Sequence, residues 1–230
     1  MRGRVTPQKL SRGIRLALLA FPLATVAGFW VPYFSQIPTF EASITTAVHL
    51  HAVLLFTWVL LLAVQPLAIR NNAYALHRTL GKATYFLMPL IVLSAITMLV
   101  KEYHEHVAAG MSRSGSLTAE YLSSVQLLLF AWFYALAIVR IKRRDVTGHM
   151  QYITCVALVL FQAAMARILG YGFEVGQRTS QTVCLITIDL CLAWLLLQHR
   201  KTFQNGRPFA LAALLYGCVE VTWVLLGRPV

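Results

Sequence analysis

Charged residues are scarce in this 230-residue chain, at 12% of the total, whereas an average soluble domain has about 25%. Acidic residues are the scarcest, with 8 Asp and Glu against 20 Lys and Arg. Hydrophobic residues make up 58%, and apolar runs long enough to cross a hydrocarbon layer recur along the chain. These features argue against a water-soluble globule and predict an all-α integral membrane bundle.

Several familiar catalytic and binding motifs are also missing. The sequence has no Cys-x-x-Cys pair, no Gly-rich phosphate loop, no His-Glu-x-x-His zinc motif and no Gly-x-Ser-x-Gly elbow. Its four cysteines fall inside predicted helices, at Cys155, Cys184, Cys191 and Cys218. We interpret them as small apolar side chains with reduced thiols, which argues against a disulfide framework or a thiolate metal site.

Long apolar runs bounded by charges predict seven membrane spans. Their predicted ranges are 15–34, 46–69, 83–100, 122–140, 150–169, 182–198 and 208–226. Residues 1–14 form a basic leader, and residues 15–226 form a single transmembrane domain. The longest connection, residues 101–121, is rich in Gly and Ser and is predicted to be a flexible loop.

The basic residues predict the orientation. Fifteen of the 20 Lys and Arg fall in the leader or in the segments after spans two, four and six. By the positive-inside rule the N-terminus is cytoplasmic and the C-terminus is outside. The net charge of +12 therefore encodes topology and gives no support for a nucleic-acid partner. The predicted location is a cell membrane, specifically a bacterial inner membrane.

The first span has an alternative interpretation. Its basic leader, its apolar run and the small residues Ala24, Ala27 and Gly28 also fit a cleavable signal sequence. Cleavage would leave six spans with the same orientation. A retained helix is favoured because Trp30, Tyr33 and Phe34 fit the aromatic belt at the outer interface.

Ionisable residues inside a span are candidates for function because each costs a few kcal/mol to insert. In span two, His51, Trp58 and Gln65 are spaced by seven residues and share one helix face. This stripe makes His51 the better candidate for burial, whereas His49 points about 200° away. A histidine that is simply hydrogen-bonded to a neighbouring helix is the alternative.

Four ionisable residues are predicted at similar depths in the outer half of the bundle. They are His51, Arg167, Asp189 and Glu220, and we expect them, with Gln65 on the His51 stripe, to form a buried polar cluster with offsetting charges. Alternatives remain open, since Arg167 could extend to the interface and Glu220 could be a protonated structural acid.

Two histidines are predicted at the cytoplasmic mouth. His77 precedes span three and His149 precedes span five. Neutral imidazoles from two helices are common axial ligands of haem and good ligands of copper or zinc. The pair is therefore a candidate cofactor site, although interfacial histidines without a ligand are also common.

Residues 47–170 resemble an uncharacterised family of bacterial multi-span membrane proteins, a domain-of-unknown-function family. The resemblance lies in His49-Leu50-His51-Ala52, Gln65-Pro66-Leu67, His77-Arg78-Thr79-Leu80-Gly81-Lys82, His149-Met150 and Arg167. Met150-Gln151-Tyr152 departs from the expected form, which leaves the subgroup open. The family is similar in layout to b-type cytochromes of the ferric-reductase kind and to assembly factors of haem-copper oxidases.

The resemblance implies specific roles for these residues. His51, His77 and His149 become candidate ligands of haem b or copper, and Arg78 and Arg167 become candidate partners of haem propionates or another anion. The first functional prediction is electron transfer or respiratory-complex assembly, with a redox partner or respiratory complex beside the lipid bilayer. The alternatives are a proton-coupled carrier that uses the outer polar cluster and a structural subunit without a ligand.

Overall fold

The computed structural model describes residues 21–40, 44–198 and 206–226, and no β-strand occurs in these ranges. Long helices dominate because the apolar runs satisfy their backbone hydrogen bonds internally. The helices are α1 (residues 21–28), α2 (Thr46–Arg70), α3 (Tyr74–Ala108), α4 (Arg113–Ala119), α5 (Tyr121–Lys142), α6 (Val146–Arg167), α7 (Gln177–Gln198) and α8 (Arg207–Leu226). A 3₁₀ turn covers Phe34–Gln36 and a π-helical turn covers Ile168–Gly172.

Six of the described helices are long and apolar enough to cross a membrane. They are α2, α3, α5, α7 and α8, together with α6 extended by its π turn to Gly172. Large apolar side chains cover their outer faces; Phe86, for example, is 79% exposed, as expected for a surface that meets lipid tails. The all-helical, multi-pass architecture predicted from the sequence is confirmed at this level.

Only residues 21–34 of the first predicted span, 15–34, are among the described residues. The leader 1–14 and residues 15–20 lie outside the described residues. Residues 21–28 are helical, but the continuation to Phe34 is wrong because the chain turns at residues 29–33. Pro32 lacks an N–H, and the N–H groups of Phe34 and Ser35 bond instead to the carbonyls of Phe29 and Trp30.

The flexible loop predicted for residues 101–121 is also wrong. Helix α3 continues to Ala108, and α4 begins at Arg113. An ion pair one helical turn apart, between Lys101 Nζ and Glu105 Oε1 at 2.7 Å, supports the extended helix. Ser112 then caps α4 by accepting a hydrogen bond from the Gly115 N–H at 3.1 Å. Hydropathy alone did not predict a helix for residues 101–121, because the helical turns in this segment are polar.

The chain divides into two compact units, Met1–Ser94 and Ala95–Val230, here called unit 1 and unit 2. In unit 2, α5 and α6 pack most closely. Phe133 of α5 is fully buried and stacks on Tyr152 of α6 with ring centroids 6.3 Å apart. The turn between them places Arg144 at a φ of 62°, and Asp145 then caps α6 by accepting from the Gly148 N–H at 2.8 Å.

Helices α7 and α8 are joined at one end by polar and aromatic contacts. The Arg178 guanidinium lies 5.0 Å from the centroid of the Trp223 ring, and Trp223 Nε1 donates to Thr182 Oγ1 at 3.3 Å. Such cation–π contacts are strongest where water is excluded. Helix α6 also packs against both α7 and α8, so the polar residues of these three helices share one interior.

Candidate functional site

The polar stripe of α2 faces α3 within unit 1. His51 Nδ1 lies 3.0 Å from Ser94 Oγ. The Gln65 amide, oriented with its nitrogen toward His77, donates to the His77 carbonyl oxygen at 3.2 Å and to His77 Nδ1, and its oxygen accepts from the Gly81 N–H at 3.0 Å. The stripe therefore joins the two antiparallel helices at both of its ends.

These contacts assign the histidine tautomers in unit 1. Ser94 Oγ donates its hydrogen to the Ile91 carbonyl at 2.8 Å, so it accepts from His51, which must be protonated on Nδ1. His77 accepts on Nδ1 from Gln65 and must therefore carry its proton on Nε2. The two candidate ligands thus hold opposite tautomers.

His51 and His77 are also far apart. Ser94, which contacts His51, lies 17 residues after His77 on α3. This separation is about 25 Å of helix at 1.5 Å per residue. One iron ion cannot bind both side chains. His49 lies on another side of α2, where its Nδ1 is 2.9 Å from the Tyr33 hydroxyl.

His149 is held near the start of α6 in unit 2. Its Nδ1 lies 3.0 Å from the Ala137 carbonyl oxygen of α5. A carbonyl only accepts hydrogen bonds, so Nδ1 is protonated and Nε2 carries the lone pair. This is the arrangement of many histidine ligands of metals. Arg78, the proposed propionate partner in unit 1, has an exposed side chain.

A compact acid cluster lies at the opposite end of unit 2. It contains Glu102 and His106, one turn apart on α3, and Glu120 at the joint between α4 and α5. Glu120 is 7% exposed, its carboxyl lies within electrostatic range of that of Glu102, and its Oε1 lies 3.1 Å from His106 Nδ1. Two adjacent carboxyl groups disfavour the state in which both are ionised.

Arg167 completes this cluster, here called the outer acid cluster. Its guanidinium donates to the Ala163 carbonyl at 3.1 Å and lies within electrostatic range of Glu102 and Tyr171. Burial, and then the adjacent Glu102, raises the pKa of Glu120 from 4.5 to about 7. The cluster thus holds a proton that is exchanged close to neutral pH.

A second carboxyl pair lies between α7 and α8. The Asp189 and Glu220 carboxyl groups lie within electrostatic range of each other, and the fully buried Tyr216 lies within electrostatic range of Asp189. Helix α7 begins at Gln177, five residues before the predicted span. Asp189 is therefore about 18 Å from that helix end at 1.5 Å per residue, which places the pair well inside the span.

The structure brings together only two of the four residues of the predicted cluster of His51, Arg167, Asp189 and Glu220. Asp189 and Glu220 are brought together, whereas Arg167 interacts with Glu102, a residue not among the predicted site residues. His51 belongs to unit 1 and is held by Ser94. The only sequence signal for the outer acid cluster was the i, i+4 spacing of Glu102 and His106, and it was obscured by the loop assignment.

The described part of the chain contains no group of three His, Cys, Asp or Glu side chains arranged to hold a metal ion. Within unit 2, His149 and His106 are also separated, because they lie near opposite ends of α5, beside Ala137 and Glu120. One iron ion therefore cannot bind both His149 and His106. The haem and copper assignments stay predictions.

The fold and these contacts define a class: a multi-pass helical membrane protein with pairs of neighbouring carboxyl groups on its helices. Comparison with known proteins adds no closer relationship. No family model matches the chain, and neither a curated protein nor a solved structure matches it significantly.

Proposed function

We propose that this protein is a proton-coupled membrane carrier whose proton-binding site is the outer acid cluster. The observation that carries the proposal is the proximity of the Glu102 and Glu120 carboxyl groups, beside His106 and Arg167. Intramembrane carboxyl, histidine and arginine groups are typical of proton relays in pumps and transporters. The alternation of Lys and Arg supports placing this end of unit 2 outside.

Proton release changes the charge balance among three helices. When the pair is protonated, it carries one negative charge, which Arg167 can offset. When the proton leaves, two carboxylates lie side by side, and their repulsion favours separation of α3 from the start of α5. Gain and loss of one proton near pH 7 can therefore bias two arrangements of these helices, as a coupled carrier requires.

The Asp189 and Glu220 pair supplies a second proton-binding position deeper in the bundle. A lone ionised carboxylate there would be costly, and sharing a proton removes one of the two charges. The two pairs together provide carboxyl groups at two depths of unit 2, which supports transfer of protons across part of the membrane.

The direct test measures proton entry into liposomes that contain the purified protein. A potassium gradient with valinomycin drives the protons, and trapped pyranine reports internal pH. We expect Glu120→Gln to reduce entry to the level of protein-free liposomes, because the amide cannot release a proton. Glu105→Gln is the matched control, since Glu105 lies nearby on α3 with its side chain 58% exposed. Equal entry in wild type and Glu120→Gln, or none in wild type, would contradict the proposal.

A second candidate function is supported by the tautomer of His149, whose Nε2 lone pair is suited to haem b or copper. A bound cofactor would supply one-electron chemistry, and His149 would act as one ligand. The absorption spectrum of the reduced, detergent-purified protein tests this idea. A b-type band that disappears in His149→Ala but persists in His104→Ala would favour the cytochrome. The carrier proposal expects a colourless protein in all three preparations.

A further inference from the structure

One face of α6 carries polar side chains through an otherwise apolar core. Gln151 and Gln162 are separated by 11 residues, and Cys155 lies between them. At 100° per residue, all three fall within about 40° of one another around the helix axis. We call these three residues the α6 polar face; it extends over about 16 Å of the helix.

The two glutamines are buried without partners. Gln151 is 5% and Gln162 1% exposed, and neither end of either side-chain amide has a hydrogen-bond partner in the described part of the chain. An unpaired buried polar group costs about 1–3 kcal/mol, so leucine or methionine would pack here more favourably. A buried amide of this kind is suited to bind something that can both donate and accept hydrogen bonds.

The α6 polar face is directed away from α5. Tyr152 stacks on Phe133 of α5, and the polar face lies roughly 60–100° around the helix from Tyr152. Tyr216 of α8 lies within electrostatic range of Cys155, which shows where this face points. The Tyr216 hydroxyl is also buried and has no partner among the described side chains and backbone groups.

The polar face connects positions that the proposed function needs to connect. Gln151 lies one and a half turns from the capping residue Asp145, near the start of α6. Gln162 lies five residues before Arg167 of the outer acid cluster. Tyr216, opposite Cys155, is close to Asp189 of the second carboxyl pair. Amide and hydroxyl groups that both donate and accept are suited to ordering water.

We infer that the α6 polar face and Tyr216 line a water-filled path through unit 2, in which water molecules bridge Gln151, Gln162 and Tyr216. This inference rests on the proposed function and deepens it: the path carries protons between the two ends of the bundle by exchange along hydrogen-bonded water. The glutamines and the tyrosine orient the water and do not themselves change protonation state.

Thiol labelling of the unaltered protein tests the path. Cys155 and Cys184 are both fully buried, but Cys184 is about 140° around α7 from Asp189 and serves as the control. Maleimides react with thiolates, which form only where water can reach the sulfur. We expect N-ethylmaleimide to label Cys155 at least about tenfold faster than Cys184 in the folded, detergent-solubilised chain, as mapped by mass spectrometry, because water and the reagent reach Cys155 along the path.

Two variants sharpen the test. Gln162→Leu should slow the labelling of Cys155 at least about tenfold by removing a water-binding amide, whereas Val156→Ala, toward α5, should leave it unchanged. Cys155 and Cys184 that are equally unreactive until the protein unfolds would overturn the path, and this result requires no variant to fold. The labelling is independent of proton entry, so rapid labelling without proton entry would reject the carrier function but retain the path.

Discussion

Glu120→Gln is expected to remove most of the loss of stability that the chain otherwise shows as pH rises from about 4.5 to about 7. The folded carboxyl keeps its proton up to about pH 7, because burial and then Glu102 raise the pKa of Glu120 from 4.5. Between these values the folded state binds more protons than the unfolded state, so the free energy of unfolding falls as pH rises. At 1.36 kcal/mol per pKa unit, the loss is about 3 kcal/mol.

Thermal unfolding in detergent, followed at several pH values, measures this effect. A difference of about 3 kcal/mol corresponds to roughly 6–12 °C in the midpoint for a chain of this size. As pH rises to 7, the midpoint of wild type should fall by this amount more than the midpoint of Glu120→Gln, because the contributions of the other carboxyl groups are common to both proteins. Glu105→Gln should follow wild type. If Glu120→Gln follows it too, Glu120 does not hold the proton.

The Asp189 and Glu220 pair should behave as one unit when it is dismantled. Asp189→Leu or Glu220→Leu alone leaves a carboxyl inside the bundle without its partner, which we expect to lower the free energy of unfolding by about 1–3 kcal/mol. The double variant removes both groups and should be destabilised by less than the sum of the single variants. The expected interaction energy is about 1 kcal/mol or more.

A control cycle on the same two helices is available. Thr187 donates to the Val183 carbonyl at 2.8 Å and Thr222 to the Cys218 carbonyl at 3.0 Å, so each hydroxyl is satisfied within its own helix. Thr187→Val and Thr222→Val should therefore add within about 0.5 kcal/mol. Additivity in the carboxyl cycle as well would show that Asp189 and Glu220 do not share a proton.

The helix bounds that depend on the local sequence were predicted, whereas the helical turns that depend on polar contacts were not. The ranges of α5 and α8 were predicted within two residues, because a run of apolar side chains bounded by Arg and Lys contains its own start and stop signals. The polar turns after Lys101 were assigned to a loop, because hydropathy does not register a helix that is stabilised by an ion pair and a serine cap.

Some residues of the candidate sites could likewise be selected from the sequence, and others could not. Asp189 and Glu220 could be selected from the sequence, because any acid inside an apolar run is conspicuous. Glu102 and Glu120 could not, because they lie within the segment misassigned as a loop and become a pair only when α4 folds the chain back between them. Arg167 was selected from the sequence as a charged residue within an apolar span, but its charged neighbour Glu102 was not predicted.

The sequence by itself therefore determined that this chain is a helical membrane protein, where most of its helices lie, and which few polar groups enter the bundle. Hydrophobic length and charge are properties of contiguous segments. Tertiary structure alone decided that Glu120 lies beside Glu102, that His51 and His77 hold opposite tautomers, and that Gln162 is buried with no hydrogen-bond partner among the described residues. Each of these depends on an atom supplied by another helix or on its absence, and the composition of a single segment carries no record of that neighbour.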